Sequence, residues 1–260
     1  EMELAAHHFS SLIDNTTLAI VAFSFVLHYC IFRFSSTSDK KDAATRARFA
    51  SQAHALFVCS FVLWWMTQYD WGLWGDKYLW RMLRGEHGTG DELQPYVLAY
   101  SIGYFLADLL VMLSYDDVYD LGSIVHHIVI APAFVLALHY RIGSTFQFFY
   151  LLEELSTIPL NLKWFYRNST WYEFWGFSFS AMFFLSRFVW GGIVFYSVYA
   201  VWGEFGDDLM AFSAYHTLVY LSLWFLCVLT RILNCYWLWL IVVKVREALS
   251  SKAGKQVKAE

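Results

Sequence analysis

The chain has 260 residues, 58% hydrophobic and 21% aromatic, with 15% charged and a net charge of −4. Its mean hydropathy is positive. One water-soluble core of this size cannot hide so much apolar surface, so lipid must cover part of it. The charge excludes a basic nucleic-acid surface, and partners are sought among membrane lipids and membrane proteins, with no nucleic acid.

Glu1 rather than Met opens the chain, which fits a start that was cleaved or lies upstream. A membrane-crossing helix needs about 20 mostly apolar residues. Taken in order, such stretches fall near 16–34, 51–71, 96–115, 124–140, 144–166, 174–199 and 210–243. The predicted fold is therefore all-α: a multi-pass transmembrane bundle of about seven spans, between six and eight. Three parts follow: an N-terminal segment with the first helix (1–45), a helical membrane domain (46–244) and a basic, flexible tail (245–260). The fourth stretch is short, and the seventh is long enough to project beyond the bilayer. Of the three prolines, Pro132 and Pro159 fall inside spans, where neighbours can satisfy the freed carbonyl.

Seven crossings put the 35–50, 116–123 and 167–173 loops and the C-terminal tail on one side. Twelve of the 18 basic residues lie there. Lys77, Arg81, Arg84 and Arg141 are on the other side, and Arg187 and Arg231 are within spans. The positive-inside rule makes the rich side cytosolic, or matrix-like in an organelle. The membrane itself is not distinguished among endoplasmic reticulum, plasma membrane and mitochondrion. The Asn168-Ser169-Thr170 acceptor pattern faces the wrong compartment for glycosylation on this topology. Cys30, Cys59, Cys227 and Cys235 lie in apolar runs without metal-ligand spacing and read as small buried hydrophobes. No metal site is expected.

Ionisable groups within a span cost several kcal/mol unless paired, and they suggest function. They are Asp108, His126, His127, Glu153, Glu154, Arg187, His216 and Arg231, joined by Asn161 and Asn234. Most fall in the half of the bilayer nearer the basic side. Helical spacing puts Glu154, Thr157 and Asn161 on one face, and Ser101, Tyr104 and Asp108 on another. His216, Tyr220, Leu223, Cys227, Arg231 and Asn234 line a third. Arg187 and Arg231 can serve as buried partners of Asp108, Glu153 or Glu154. Adjacent His126 and His127 point about 100° apart and so do not share one structural role. An imidazole near neutral pKa can shuttle protons or attack an acyl carbon. Pro159 frees the Leu155 carbonyl and is expected to kink the fifth span beside the carboxylates.

The double histidine, followed about 27 residues later by Glu154-Leu155-Ser156-Thr157 with Pro159, Asn161 and Leu162, resembles the TLC-domain family. Weaker echoes are RARFASQAHA (46–55), YFLADLL (104–110), Arg187 and LNCYW (233–237). Ceramide synthases belong to that family, and the likeness is nearest to its non-ceramide-synthase branch. The resemblance implies six or seven helices around a long cavity for a lipid or acyl chain. In ceramide synthases paired histidines work with an H-D and a later Asp to move an acyl group from acyl-CoA to a sphingoid amine. Here Glu153, Glu154 and Asn161 stand in that region instead.

Three functions follow from the resemblance. The first is binding of a lipid, with Tyr104, Asp108, Glu153, Asn161, Arg187, Arg231 and Asn234 at its polar end and an effect on membrane lipid composition. The second is acyl-CoA-dependent transfer, with His126, His127 and Glu154 catalytic and a basic mouth at Lys40, Lys41, Arg46 and Arg48. The third is a non-catalytic accessory role beside other membrane subunits.

Overall fold

The computed structural model describes residues 13–35, 42–68, 93–140, 142–212 and 214–256. Among these the chain is helical throughout. The helices are α1 (Asn15–Phe34), α2 (Ala43–Gln68), α3 (Gln94–Ser114), α4 (Leu121–Tyr140), α5 (Ser144–Tyr150), α6 (Thr157–Phe165), α7 (Tyr172–Phe183), α8 (Gly191–Phe212) and α9 (Ala214–Gln256). A 3₁₀ turn (Leu151–Ser156) joins α5 to α6, and a π-helical turn (Phe184–Trp190) joins α7 to α8.

Six stretches are long and apolar enough to cross a membrane: Asn15–Phe34, Ala43–Gln68, Gln94–Ser114, Leu121–Tyr140, Tyr172–Ala200 and Thr217–Glu247. Residues 144–165 form a further, broken helical stretch that runs between the two ends of the bundle. At its start the Thr145 hydroxyl donates to Gln94 Oε1 (3.1 Å), at the head of α3. At its end Trp164 Nε1 donates to Thr45 Oγ1 (2.8 Å), at the head of α2. The 19 residues between rise about 28 Å if helical, the depth of the hydrocarbon. Too polar to pass as a free-standing span, this segment is sheathed by its neighbours. The chain thus forms the multi-pass helical bundle that the sequence implied. At the other end α9 continues to Gln256, well past Lys244.

Helix starts follow ordinary capping chemistry. Asp14 caps α1 by accepting from the Thr17 amide (2.7 Å), and Asp42 caps α2 through the Thr45 amide (2.8 Å). Asp42 also meets Arg167 (3.4 Å), which ties the start of α2 to the residues after α6 on the basic face. α1 packs most closely on α3. A side-chain carbon at Gly103 would lie 2.7 Å from Ser24 Cβ and 2.9 Å from the Phe25 nitrogen, so only glycine lets the two backbones approach this far.

The core is aromatic and aliphatic. Trp65, Leu98, Phe105, Leu138, Phe148, Phe149 and Leu151 are fully enclosed. The outward faces carry Phe23, Leu113, Phe177, Tyr196, Leu218 and Trp239, as expected of surfaces that meet lipid tails rather than water.

Candidate functional site

The 3₁₀ turn and the π turn lie against each other, and they carry the central charges. Glu153 and Glu154 are on the overwound turn; Arg187 is on the underwound one. Such irregular turns leave carbonyls off the regular ladder, and inside a membrane these need partners. They have them. Ser156 and Ser186 hydroxyls donate to the Glu153 carbonyl (3.0 and 3.4 Å). Trp190 Nε1 donates to the Phe149 carbonyl (2.9 Å), and Arg231 Nη1 to that of Arg187 (2.8 Å). Pro159, in the first turn of α6, removes a donor just where the 3₁₀ turn gives way to α-helix. The kink read from the sequence is this change of winding.

Side chains complete the lattice. Glu153, 5% exposed, pairs with Arg231 through Oε1, and Oε2 accepts from Asn234 Nδ2 (3.0 Å). Arg187 donates to Asn234 Oδ1 (3.0 Å) and Ser156 Oγ (3.1 Å), and approaches both Glu153 and Glu154 at 3.9 Å. Gly191 makes room for this pairing, since a Cβ there would collide with Arg231 Nη1 and Glu153 Oε1. Arg187, Arg231, Glu153 and Asn234 thus partner one another, with the buried Arg231 Nε left without a hydrogen bond. That is the buried-partner role the sequence allowed for the two arginines.

A second group lies towards α2 and α3. Arg48 donates to Asn161 Oδ1 (3.1 Å), and Asn161 Nδ2 donates to Ser51 (3.1 Å). Tyr104 reaches Asp108 and Ser51, and Arg48 is in electrostatic range of Asp108. His127 Nδ1 lies 3.6 Å from Asp108 Oδ2, with its ring packed on Phe105. The formal charges of three carboxyls (Asp108, Glu153, Glu154) therefore balance those of three guanidiniums (Arg48, Arg187, Arg231). That balance is what makes so many charges tolerable in hydrocarbon.

His126 stands apart from both groups. It is 5% exposed, its ring meets Trp237 edge-on (5.3 Å), and its Nδ1 is buried without a hydrogen-bond partner. Beside it is a cavity of about 30 Å³ bordered also by Glu153, Glu154, Tyr150, Cys227 and Arg231. That is room for about two waters, far short of a lipid chain. Among the described residues this cavity is far smaller than the long one the resemblance implied. Glu154 accepts from Thr157 (2.8 Å) through Oε2, while its Oε1 has only the distant Arg187. His126 and Glu154 thus both keep hydrogen-bonding capacity at the cavity, as does the buried Arg231 Nε. The adjacent histidines face different neighbours, as their 100° offset requires: His126 the cavity, His127 the α3 carboxylate.

Of the ten residues selected from the sequence as catalytic or lipid-binding, nine lie in these two groups and His126 lies at the cavity beside them. The His216 side chain lies outside the described residues, as do Lys40 and Lys41 of the proposed mouth. Sequence reasoning assigned Arg48 to a basic mouth rather than to the buried cluster, and missed Ser51, Ser156, Ser186 and Tyr150 as site residues. Arg48 looked like an interfacial loop charge, and the serines are too common to stand out. The Arg48-to-Ser51 spacing, three residues on one helical face, was the available signal.

The family model of the TLC domain matches residues 45–243, well over half of the chain. No curated protein matches it. The matched region begins just before Arg46 and ends just before Lys244, so it contains every polar side chain of the cluster.

Proposed function

The chain belongs to the TLC-domain family, and we propose that it is an integral membrane protein that holds a lipid, its polar end at the buried cluster and its tail among apolar side chains. The observation that supports this best is the cavity bordered by His126, Glu154 and Arg231, polar groups with hydrogen-bonding capacity to spare: His126 Nδ1 and Arg231 Nε are buried without partners, and Glu154 uses Oε2 on Thr157. An unused buried acceptor is costly, and a headgroup or water that donates to it removes the cost. Because the cavity is small, lipid entry requires the helices around it to part. The basic face bearing Arg46, Arg48 and Lys163 faces the cytosol, or the matrix if the membrane is an organelle's. Native mass spectrometry of the detergent-solubilised chain tests the reading. A lipid retained by wild type and lost from His126→Leu/Glu154→Leu supports it; no retained lipid in any detergent counts against it. Stoichiometric protein partners without lipid would instead favour the accessory-subunit role.

A second reading is acyl transfer from an acyl thioester, favoured by the His127–Asp108 approach at 3.6 Å. Asp108 would orient His127, and His126 would accept the proton of the attacking amine as its nitrogen bonds to the acyl carbon. The thiol leaves and takes that proton, and an amide results. Acyl-CoA would be the substrate rather than a resident cofactor. Membranes containing the chain, given labelled acyl-CoA and a sphingoid amine, should make labelled amide that His126→Ala and His127→Ala abolish. Equal product with and without the histidines removes this reading.

A further inference from the structure

A second cavity, of about 20 Å³, lies along α9 beyond the first, toward the end of the bundle that holds Gln94 and Thr145. Ile142, Phe146, Val198, Tyr220 and Trp224 border it. Gln147, Tyr150 and Cys227 border both cavities and form the partition between them.

That partition is held from two directions. The Tyr150 hydroxyl and the Cys227 sulfur are 3.0 Å apart. The Arg231 guanidinium lies over the Tyr150 ring, 5.0 Å from its centroid, while also pairing with Glu153. The same cation that neutralises the central carboxylate thus covers the ring that closes the apolar side. From Arg231 to Tyr220 α9 rises about 16 Å, the reach of a fatty-acyl chain rather than of a small solute. Beyond the partition the far compartment is walled mostly by apolar side chains, and its Tyr220 hydroxyl is already spent on the Val198 carbonyl (2.8 Å).

We propose that Tyr150 is a gate between a head compartment at His126 and Glu154 and a tail compartment at Phe146 and Tyr220. When its side chain swings from Cys227 and the helices around it part, the two cavities join and widen into one slot that admits a single hydrocarbon chain. The gate limits how deeply that chain reaches. This rests on the lipid reading above and adds to it the residue that sets chain length.

The probes are capric and stearic acids, each with a terminal diazirine, photolysed with the purified full-length chain and mapped by mass spectrometry. In wild type, label from the capric probe should fall on residues bordering the head compartment. Tyr150→Ala should let the stearic probe label Phe146, Val198 or Tyr220, where wild type takes little. Cys227→Ala keeps the ring, loses only its latch, and should move labelling the same way by less. It also answers the case in which Tyr150→Ala fails to fold. Equal labelling of the tail compartment in wild type and in the folded variants overturns the gate and leaves the lipid reading standing. No labelling of either compartment by either probe overturns both.

Discussion

At the scale of single residues, the Glu153–Arg231 pair shows why this site is built as a lattice. Glu153 uses both oxygens, on Arg231 and on Asn234, and Arg231 reaches a backbone carbonyl that the π turn leaves free. Removing one partner leaves a buried charge without compensation, which costs about 3–5 kcal/mol; removing both with well-packed apolar groups costs far less. Glu153→Gln and Arg231→Met should each lower the thermal midpoint of the purified protein sharply, and the double variant should recover much of the loss. Single variants as stable as wild type would mean the pair is not held as described. These residues were legible in the sequence because a charge in a hydrophobic run stands out. Arg48 was not, since a basic residue near a helix start reads as interfacial until Asn161 and Asp108 are seen beside it.

At the scale of elements, α1 is attached through a close backbone approach at Gly103 as well as through its buried side chains. Its buried positions are Thr17, Ser24, His28 and Phe32, and Ser24 donates to the Tyr100 carbonyl (2.6 Å). Gly103→Val should force α1 from α3 and cost about 1–3 kcal/mol, the usual range for overpacking. A cysteine pair placed across α1 and α3 would cross-link quickly in the parent and slowly in the variant. Unchanged cross-linking would show that the contact is not tight. The start of α2 carries a pH response. Partial burial pushes the Asp42 carboxyl up, but hydrogen bonds from Thr45 and the Arg167 charge outweigh this and hold it below the ordinary 3.8. A carboxyl lowered by folding stabilises the fold above its unfolded pKa, and that stabilisation is lost as pH falls through the folded value. Stability should therefore drop in acid below about pH 4 in the parent, and less in Asp42→Asn, which keeps a capping oxygen without the charge. Parallel acid unfolding curves for the two would show that Asp42 contributes no such response.

At the scale of the whole molecule, residues 144–165 decide the topology. Apolar length picks out six helices, and a crossing by this stretch makes seven. The long, uniform runs such as 96–115 were readable because hydropathy measures the property that holds them in place. The 144–166 stretch was readable only through its pattern of carboxylates, proline and asparagine; hydropathy dilutes it with Gln147, Glu153, Glu154 and Lys163. The change of winding at Leu151–Ser156 had no sequence signal beyond Pro159, because 3₁₀ geometry there is imposed by contacts with the π turn and α2. In the fold the segment begins beside Gln94 and ends beside Thr45, so it joins opposite faces. With it there are seven crossings, and Asp14 before α1 and Lys244 near the end of α9 lie on opposite sides of the membrane. With six they would share a side. Single cysteines at Asp14 and Lys244, in a background with Cys30, Cys59, Cys227 and Cys235 replaced, decide between the two in sealed vesicles. An impermeant maleimide should label one site at once and the other only after detergent. Immediate labelling of both would mean that 144–165 does not cross, and then the cluster of Glu153, Glu154 and Asn161 would open to one face rather than lie within the membrane.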